Sequence, residues 1–267
     1  MNKNTIYILI STLILTSCSK ENTFETESDT NVDTPIEVIK KPNILLIIAD
    51  DMGLDASPNY NVGSIKPTLP TIENLAQTGI TFNNVWSNPT CSPTRATILT
   101  GKYGFNTGVL KVDDELSTSE TSLQKYLDTQ LNATYSSAVI GKWHLSKDAS
   151  HPNNMGLNYY AGSIAGGLKS YWDWDLVING EKTSSTDYNT SKYTDLAIDW
   201  VNNQSDPWFL WLAYNAPHTP FHLPPTNLHT QGELPTDDAS INANPLPYYL
   251  ASIEAMDSEI GRLLNEM

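Results

Sequence analysis

The sequence predicts an α/β fold, a mostly parallel central sheet with helices on both faces. Three observations carry that expectation. Ile44-Leu45-Leu46-Ile47-Ile48-Ala49 is an unbroken apolar run between Pro42 and Asp50-Asp51, the pattern of a strand buried on both faces. Trp208 to Ala213 is a second such run. Around them, segments with helical spacing alternate with strand-like ones, which implies helices packed on a sheet.

The elements follow in order. Thr71 to Gln77 reads as a short helix with Gly79 just past its end. Pro93 to Leu99 reads as a second, with Pro93 in its first turn and Gly101 closing it. Ser122 to Leu131 suits a helix, Ser136 to Ile140 a strand, and Thr194 to Val201 a helix ahead of the Trp208 strand. Tyr249, Ile253, Met256, Ile260 and Leu263 recur at helical spacing, so the chain closes on an amphipathic helix. In open α/β sheets, ligands gather outside the carboxyl ends of the strands. Asp50-Asp51 stand at such an end.

The chain has 267 residues, enough for one large domain with a sizeable core. Lys+Arg number 15 against Asp+Glu 30, a formal net charge of -15. That balance argues against nucleic acid as a partner, because a phosphate backbone is held mainly by Lys and Arg. The overall field also repels an anionic substrate, so a site for one needs local cations.

The N-terminus reads as a leader. Lys3 is followed by an apolar stretch from Ile6 to Leu15, too short to span a bilayer. Leu15-Thr16-Ser17-Cys18 then resembles a bacterial lipobox, in which cleavage precedes a Cys that carries lipid. The alternative is a plain secretory signal with an incidental Cys. The lipobox reading makes 1–17 a signal peptide, Cys18 the lipidation site and 18–40 a polar tether. It also makes the protein an exported one, anchored to a bacterial membrane at the periplasmic or cell surface. Cys18 and Cys91 are the two cysteines. With Cys18 lipidated, Cys91 has no disulfide partner, and a lone Cys in an exported chain calls for a chemical reason.

Four short segments carry the candidate chemistry. Asp50-Asp51, adjacent carboxylates after a buried strand, suit a hard divalent cation with oxygen ligands. Taken alone, the pair reads more readily as a helix cap and a solvated neighbour. Cys91-Ser92-Pro93-Thr94-Arg95 precedes a short helix ending in Thr100-Gly101. Gly141-Lys142-Trp143-His144-Leu145 follows a predicted strand, where alternation puts Lys142 and His144 on one side. Pro217-His218-Thr219-Pro220 follows the Trp208 strand.

Together and in this order, the four segments resemble the formylglycine-dependent sulfatases of the alkaline-phosphatase-like superfamily. The resemblance runs from about Pro42 to the last residue. It implies that a maturation enzyme oxidises Cys91 to formylglycine, whose hydrated aldehyde attacks sulfur and later releases sulfate. It implies calcium, with magnesium as the alternative, held by Asp50, Asp51 and the Cys91 product. Arg95 would hold the diol or charge near the metal, and Lys142 a sulfate oxygen. His144 would orient the diol or receive its proton, and His218 would hydrogen-bond the bridging ester oxygen and help protonate the leaving alcohol. The implied substrate is a sulfated carbohydrate met outside the cytoplasm.

Other candidates carry less. His222 and His229 lie in the Pro-rich loop after His218, and His151 fits no role. Tyr171-Trp172-Asp173-Trp174 is either a sugar-stacking platform or ordinary packing.

The family also supplies two metal ligands and a Lys from a later strand end, and no such pair follows Ala216. The reading is therefore that 41–267 is the family's N-terminal catalytic part, C-terminally incomplete, and that 1–267 alone is poorly stable and inactive. Two rivals remain: a phosphonate or phosphate ester hydrolase of the same superfamily, and a non-catalytic surface lipoprotein that binds glycans.

Overall fold

The structure, a computed structural model, describes residues 41–131 and 135–267. The leader, Cys18 and the tether lie outside the described residues. The elements run β1 (Ile44–Asp50), α1 (Pro70–Thr78), α2 (Cys91–Thr100), α3 (Gly104–Thr107), α4 (Leu123–Leu131), β2 (Ser136–Gly141), α5 (His151–Asn154) and β3 (Tyr159–Gly162). There follow β4 (Trp174–Ile178), β5 (Glu181–Ser185), α6 (Asn189–Asn202), β6 (Trp208–Pro217), a 3-10 turn at Thr226–Leu228, α7 (Asp238–Ala243) and α8 (Leu246–Glu266).

The strands form one six-stranded sheet in the order β1-β6-β2-β3-β4-β5. The pairs β1–β6, β6–β2 and β2–β3 are parallel. The pairs β3–β4 and β4–β5 are antiparallel. The fold is thus the mostly parallel α/β sheet that the sequence predicts.

Period-two alternation along the strands builds two cores. Leu210, Leu212 and Tyr214 of β6 face one side with Ala138 and Ile140 of β2. There they meet Tyr193 and Ala197 of α6 and Ile253, Met256, Ile260 and Leu263 of α8. Phe209, Trp211 and Ala213 face the other side with Val139, against Ala96 and Leu99 of α2 and, more peripherally, Leu123 and Leu127 of α4. Strand β6 is buried along its whole length because it has a strand on each flank and helices on each face.

Strand β1 departs from expectation. Residues 44–49 are only half-buried, although an unbroken apolar run predicts burial on both faces. The reason is position: β1 is an edge strand, paired with β6 on one flank alone among the described residues.

Candidate active site

The site forms where β1, β2 and β6 end and α2 begins. Asp50 closes β1 and is 5% exposed. Asp51 turns out of the strand in left-handed backbone (φ 69°), a conformation Asp tolerates better than most residues. Tyr249 of α8 holds this turn, its hydroxyl accepting from Gly53 N (3.0 Å) and donating to Asp51 O (3.2 Å).

Helix α2 starts at Cys91, with Thr90 extended before it and Gly101 left-handed after it (φ 66°). Cys91 is therefore the first helical residue, where unpaired amides and the helix dipole favour negative charge. Arg95 lies one turn on, buried, its Nη1 donating to Lys142 O at 2.7 Å. Its Nη2 lies 3.4 Å from Asp50 Oδ1, an ion pair without hydrogen-bond geometry, so Nε and Nη2 remain buried donors with no acceptor.

Strand β2 delivers the next segment through Gly141, whose φ of 117° and contact with the Ala213 carbonyl leave no room for a Cβ. Lys142, fully buried, pairs its Nζ with Asp50 Oδ2. Burial pushes its pKa down, Asp50 opposes, and Arg95 adds to the fall.

His144 reaches Cys91 differently from a simple extended segment. Its backbone is left-handed (φ 55°), so strand alternation is not what turns Lys142 and His144 towards one place. Its Nδ1 lies 3.1 Å from Cys91 Sγ. Its Nε2 lies 2.8 Å from Asp113 Oδ1. Burial lowers the His144 pKa and the Asp113 carboxylate opposes; the same hydrogen bond lowers the Asp113 pKa.

His218 sits between two cis peptide bonds, Ala216–Pro217 and Thr219–Pro220. Its Nδ1 donates to Thr219 O at 2.8 Å, which leaves Nε2, 3.6 Å from Asp51 Oδ2, as the free nitrogen. Tyr171 fixes the loop by donating from its hydroxyl to His218 O at 2.7 Å. Cys91, Asp113, His144, Ser146, Lys147 and His218 line one cleft of about 490 Å³.

The structure thus brings Asp50, Cys91, Arg95, Lys142 and His144 together and puts His218 and Asp51 at the rim. Asp50, Asp51 and Cys91 line a second hollow of about 370 Å³. Its two carboxylates fit a hard cation in kind but not in number. Among the described residues no group of three or more His, Cys, Asp or Glu converges on a metal position.

The remaining histidines, His151, His222 and His229, line neither hollow. His222 is buried, stacked on Tyr171 (centroids 3.8 Å apart, 20° between planes) and hydrogen-bonded to the Tyr188 hydroxyl. His229 accepts from Gln231 N within its own loop. His151 accepts from Trp143 Nε1 (3.0 Å) and donates to Leu116 O (2.7 Å), which locks the indole beside His144. Sequence reasoning missed that function of His151, and it missed Asp113, which no spacing connects to His144.

A sulfatase family model matches residues 42–267. The chain belongs to the sulfatase family. This sulfatase chain is 30% identical over 233 residues to the N-acetylglucosamine-6-O-sulfatase of Bacteroides thetaiotaomicron, covering 85% of this chain and 37% of that one. It is 27% identical over 254 residues to the N-acetylgalactosamine-6-sulfatase of Homo sapiens, covering 84% of this chain and 46% of that one. Among solved structures, Ps i-CgsB in complex with k-i-k-neocarrahexaose matches with a TM-score of 0.70 and 26% identity, over 85% of this chain and 55% of that one. The chain spans less than half the length of the curated relatives it matches.

Proposed function

We propose that this chain carries the nucleophile and much of the anion grip of a hydrolase that cleaves sulfate esters of carbohydrates. One observation carries the reading: charge is inverted at the site. The protein has a net charge of -15, yet beside Cys91 two buried cations, Lys142 and Arg95, face one buried carboxylate, Asp50. That leaves a local excess of positive charge, with two unsatisfied Arg95 donors, at a helix N-terminus. Such a place holds an anion despite the repelling field around it. Relatives named for 6-sulfated amino sugars support a carbohydrate sulfate as the ligand.

In this reading Cys91 is converted to formylglycine, whose hydrate supplies a hydroxyl nucleophile and a second hydroxyl for sulfate release. Asp50 and Asp51 would hold calcium, or magnesium, which supplies Lewis-acid stabilisation of sulfate oxygens. Arg95 and Lys142 bind and orient the sulfate. The unprotonated Nδ1 of His144 takes up a proton from the group on residue 91. The Nε2 of His218, exposed at the rim while Nδ1–H is held by Thr219 O, hands a proton to the leaving alcohol when the ring is in its imidazolium form. Lipid at Cys18, export and a formylglycine-generating maturation enzyme complete the proposal.

The test is hydrolysis of the sulfate and phosphate esters of one alcohol by the protein matured in its host, with Cys91→Ala beside it. Faster sulfate turnover, lost in Cys91→Ala and accompanied by an aldehyde at residue 91 in the peptide mass, is expected. Faster phosphate turnover, or glycan binding with an unmodified thiol and no turnover, would replace this reading. Calcium is expected to raise Tm in the parent and not in Asp51→Ala.

A further inference from the structure

Two non-glycine residues in left-handed backbone, Asp113 (φ 65°) and His144 (φ 55°), face each other across the cleft. Such backbone is costly for a residue with a side chain and persists where surrounding contacts over-determine it. Asp113 is over-determined. Its N–H donates to Ser92 Oγ at 3.2 Å, the residue after Cys91. Next to it, Asp114 accepts from the amides of Leu110 (2.9 Å) and Lys111 (3.0 Å). Three residues on, Leu116 N donates to Leu145 O at 2.9 Å, while His151 Nε2 donates to Leu116 O. The loop from 110 to 116 is tied at one end to the start of α2 and at the other to the backbone beside His144.

The loop therefore delivers one carboxylate oxygen to one ring nitrogen: Asp113 Oδ1 lies 2.8 Å from His144 Nε2. A carboxylate only accepts, so Nε2 carries the ring hydrogen. A neutral imidazole with its proton on Nε2 presents a lone pair at Nδ1, which faces Cys91 Sγ at 3.1 Å. The opposite tautomer would turn an N–H towards residue 91 and set the Nε2 lone pair against the Asp113 carboxylate.

We propose that Asp113 is a positioning residue that fixes the tautomer and plane of His144, so that Nδ1 is always the acceptor for the group on residue 91. This rests on the sulfatase reading for its catalytic consequence, not for its structural content. Its reach is the step in which residue 91 gives up a proton. A loop residue, and not one of the four sequence segments, then decides whether His144 is competent.

The first measurement is the tautomer itself, from nitrogen-15 NMR of histidine-labelled protein with Cys91 unconverted. In the parent, Nε2 of His144 is expected to give the protonated, pyrrole-type signal and Nδ1 the unprotonated, pyridine-type signal. The reverse assignment overturns the proposal outright. The variant is Asp113→Gly, which accepts the left-handed backbone and removes only the carboxylate. Its His144 signals are expected to move towards the tautomer average, and unchanged signals overturn the proposal. If the variant fails to fold, the parent spectrum alone still decides. With the host-matured protein and a sulfate ester, kcat should fall roughly 10–100-fold with KM within about twofold, as for lost outer-shell orientation of a reacting His. A shifted tautomer with no sulfate turnover in either protein would overturn the sulfatase reading and leave the positioning role standing.

Discussion

Replacing Asp50 with Asn strips two buried cations of their counter-ion. Lys142 and Arg95 cannot reach solvent, so Asp50→Asn is expected to lower unfolding free energy by about 3–5 kcal/mol, read as a lower urea midpoint. An unchanged midpoint would mean that the cluster is neutralised another way. Gly166 tests the cleft from the opposite side. A Cβ there would enter the space of the His144 ring. Gly166→Ala is expected to displace the imidazole and cut sulfate turnover at least tenfold while Tm changes little. His222 gives the pH dependence. Burial pushes its pKa from 6.5 down to about 4, with the Pro220 carbonyl opposing. The unfolded chain takes a proton below about pH 6.5, whereas the folded one resists until about pH 4. Stability should therefore fall as pH drops through that window, by roughly 3 kcal/mol in all, and then level off. In His222→Asn the slope of urea midpoint against pH between 6.5 and 4 should flatten. At this scale the sequence showed Cys91 and four residues that gather beside it, Asp50, Arg95, Lys142 and His144. It hid Asp113, because a loop carboxylate 31 residues before its histidine has no periodicity to betray it.

Helix α1 starts at Pro70 after Leu69 and has no capping side chain of its own. Helix α8 supplies the cap: Asp257 accepts from Thr71 N (3.0 Å) and Ile72 N (2.8 Å). Asp257→Ala should cost about 1–2 kcal/mol, as cap removal does. Amide exchange at Thr71 and Ile72 should speed up while the β6 amides keep their protection; equal acceleration everywhere would argue for global loosening instead. The long periodic elements were legible because burial on one face writes itself as spacing, as in α8 and β6. The β4–β5 hairpin was passed over, although Asn179-Gly180 is a strong two-residue hairpin signal and both residues adopt positive φ. Its β5 flank, with four of five residues exposed, lacks the apolar weight of the other strands. The aromatic cluster at 171–174 was ambiguous because packing and sugar stacking ask for the same residues. Its Tyr171 packs on His222 and holds the His218 loop.

Across the molecule, one side of the sheet is unfinished among the described residues. Strand β1 lies at the edge, and near its end Val85 and Trp86 border a groove with Ala49, Met52 and Leu54. Ile80 (82%), Phe82 (70%), Val85 (74%) and Trp86 (93%) are exposed together along one loop. Open edges and apolar patches of this kind recruit other chains. Residues 41–267 produced alone should self-associate in gel filtration and bind a hydrophobic dye, and Val85→Lys with Trp86→Glu should raise the monomer fraction. Monomeric elution without dye binding would contradict this. The fold class was legible from two apolar runs, but strand order was not, since nothing in a single sequence says which strands lie side by side. That order sets a timetable for synthesis. Ile44 lies opposite Phe209, so β1 emerges about 165 residues before its partner, roughly 10–30 s at the usual 5–20 residues per second. Until β6 follows it out of the ribosome, the Ile44–Ala49 segment lacks the strand it pairs with among the described residues, and its apolar run stays open to other chains for that interval.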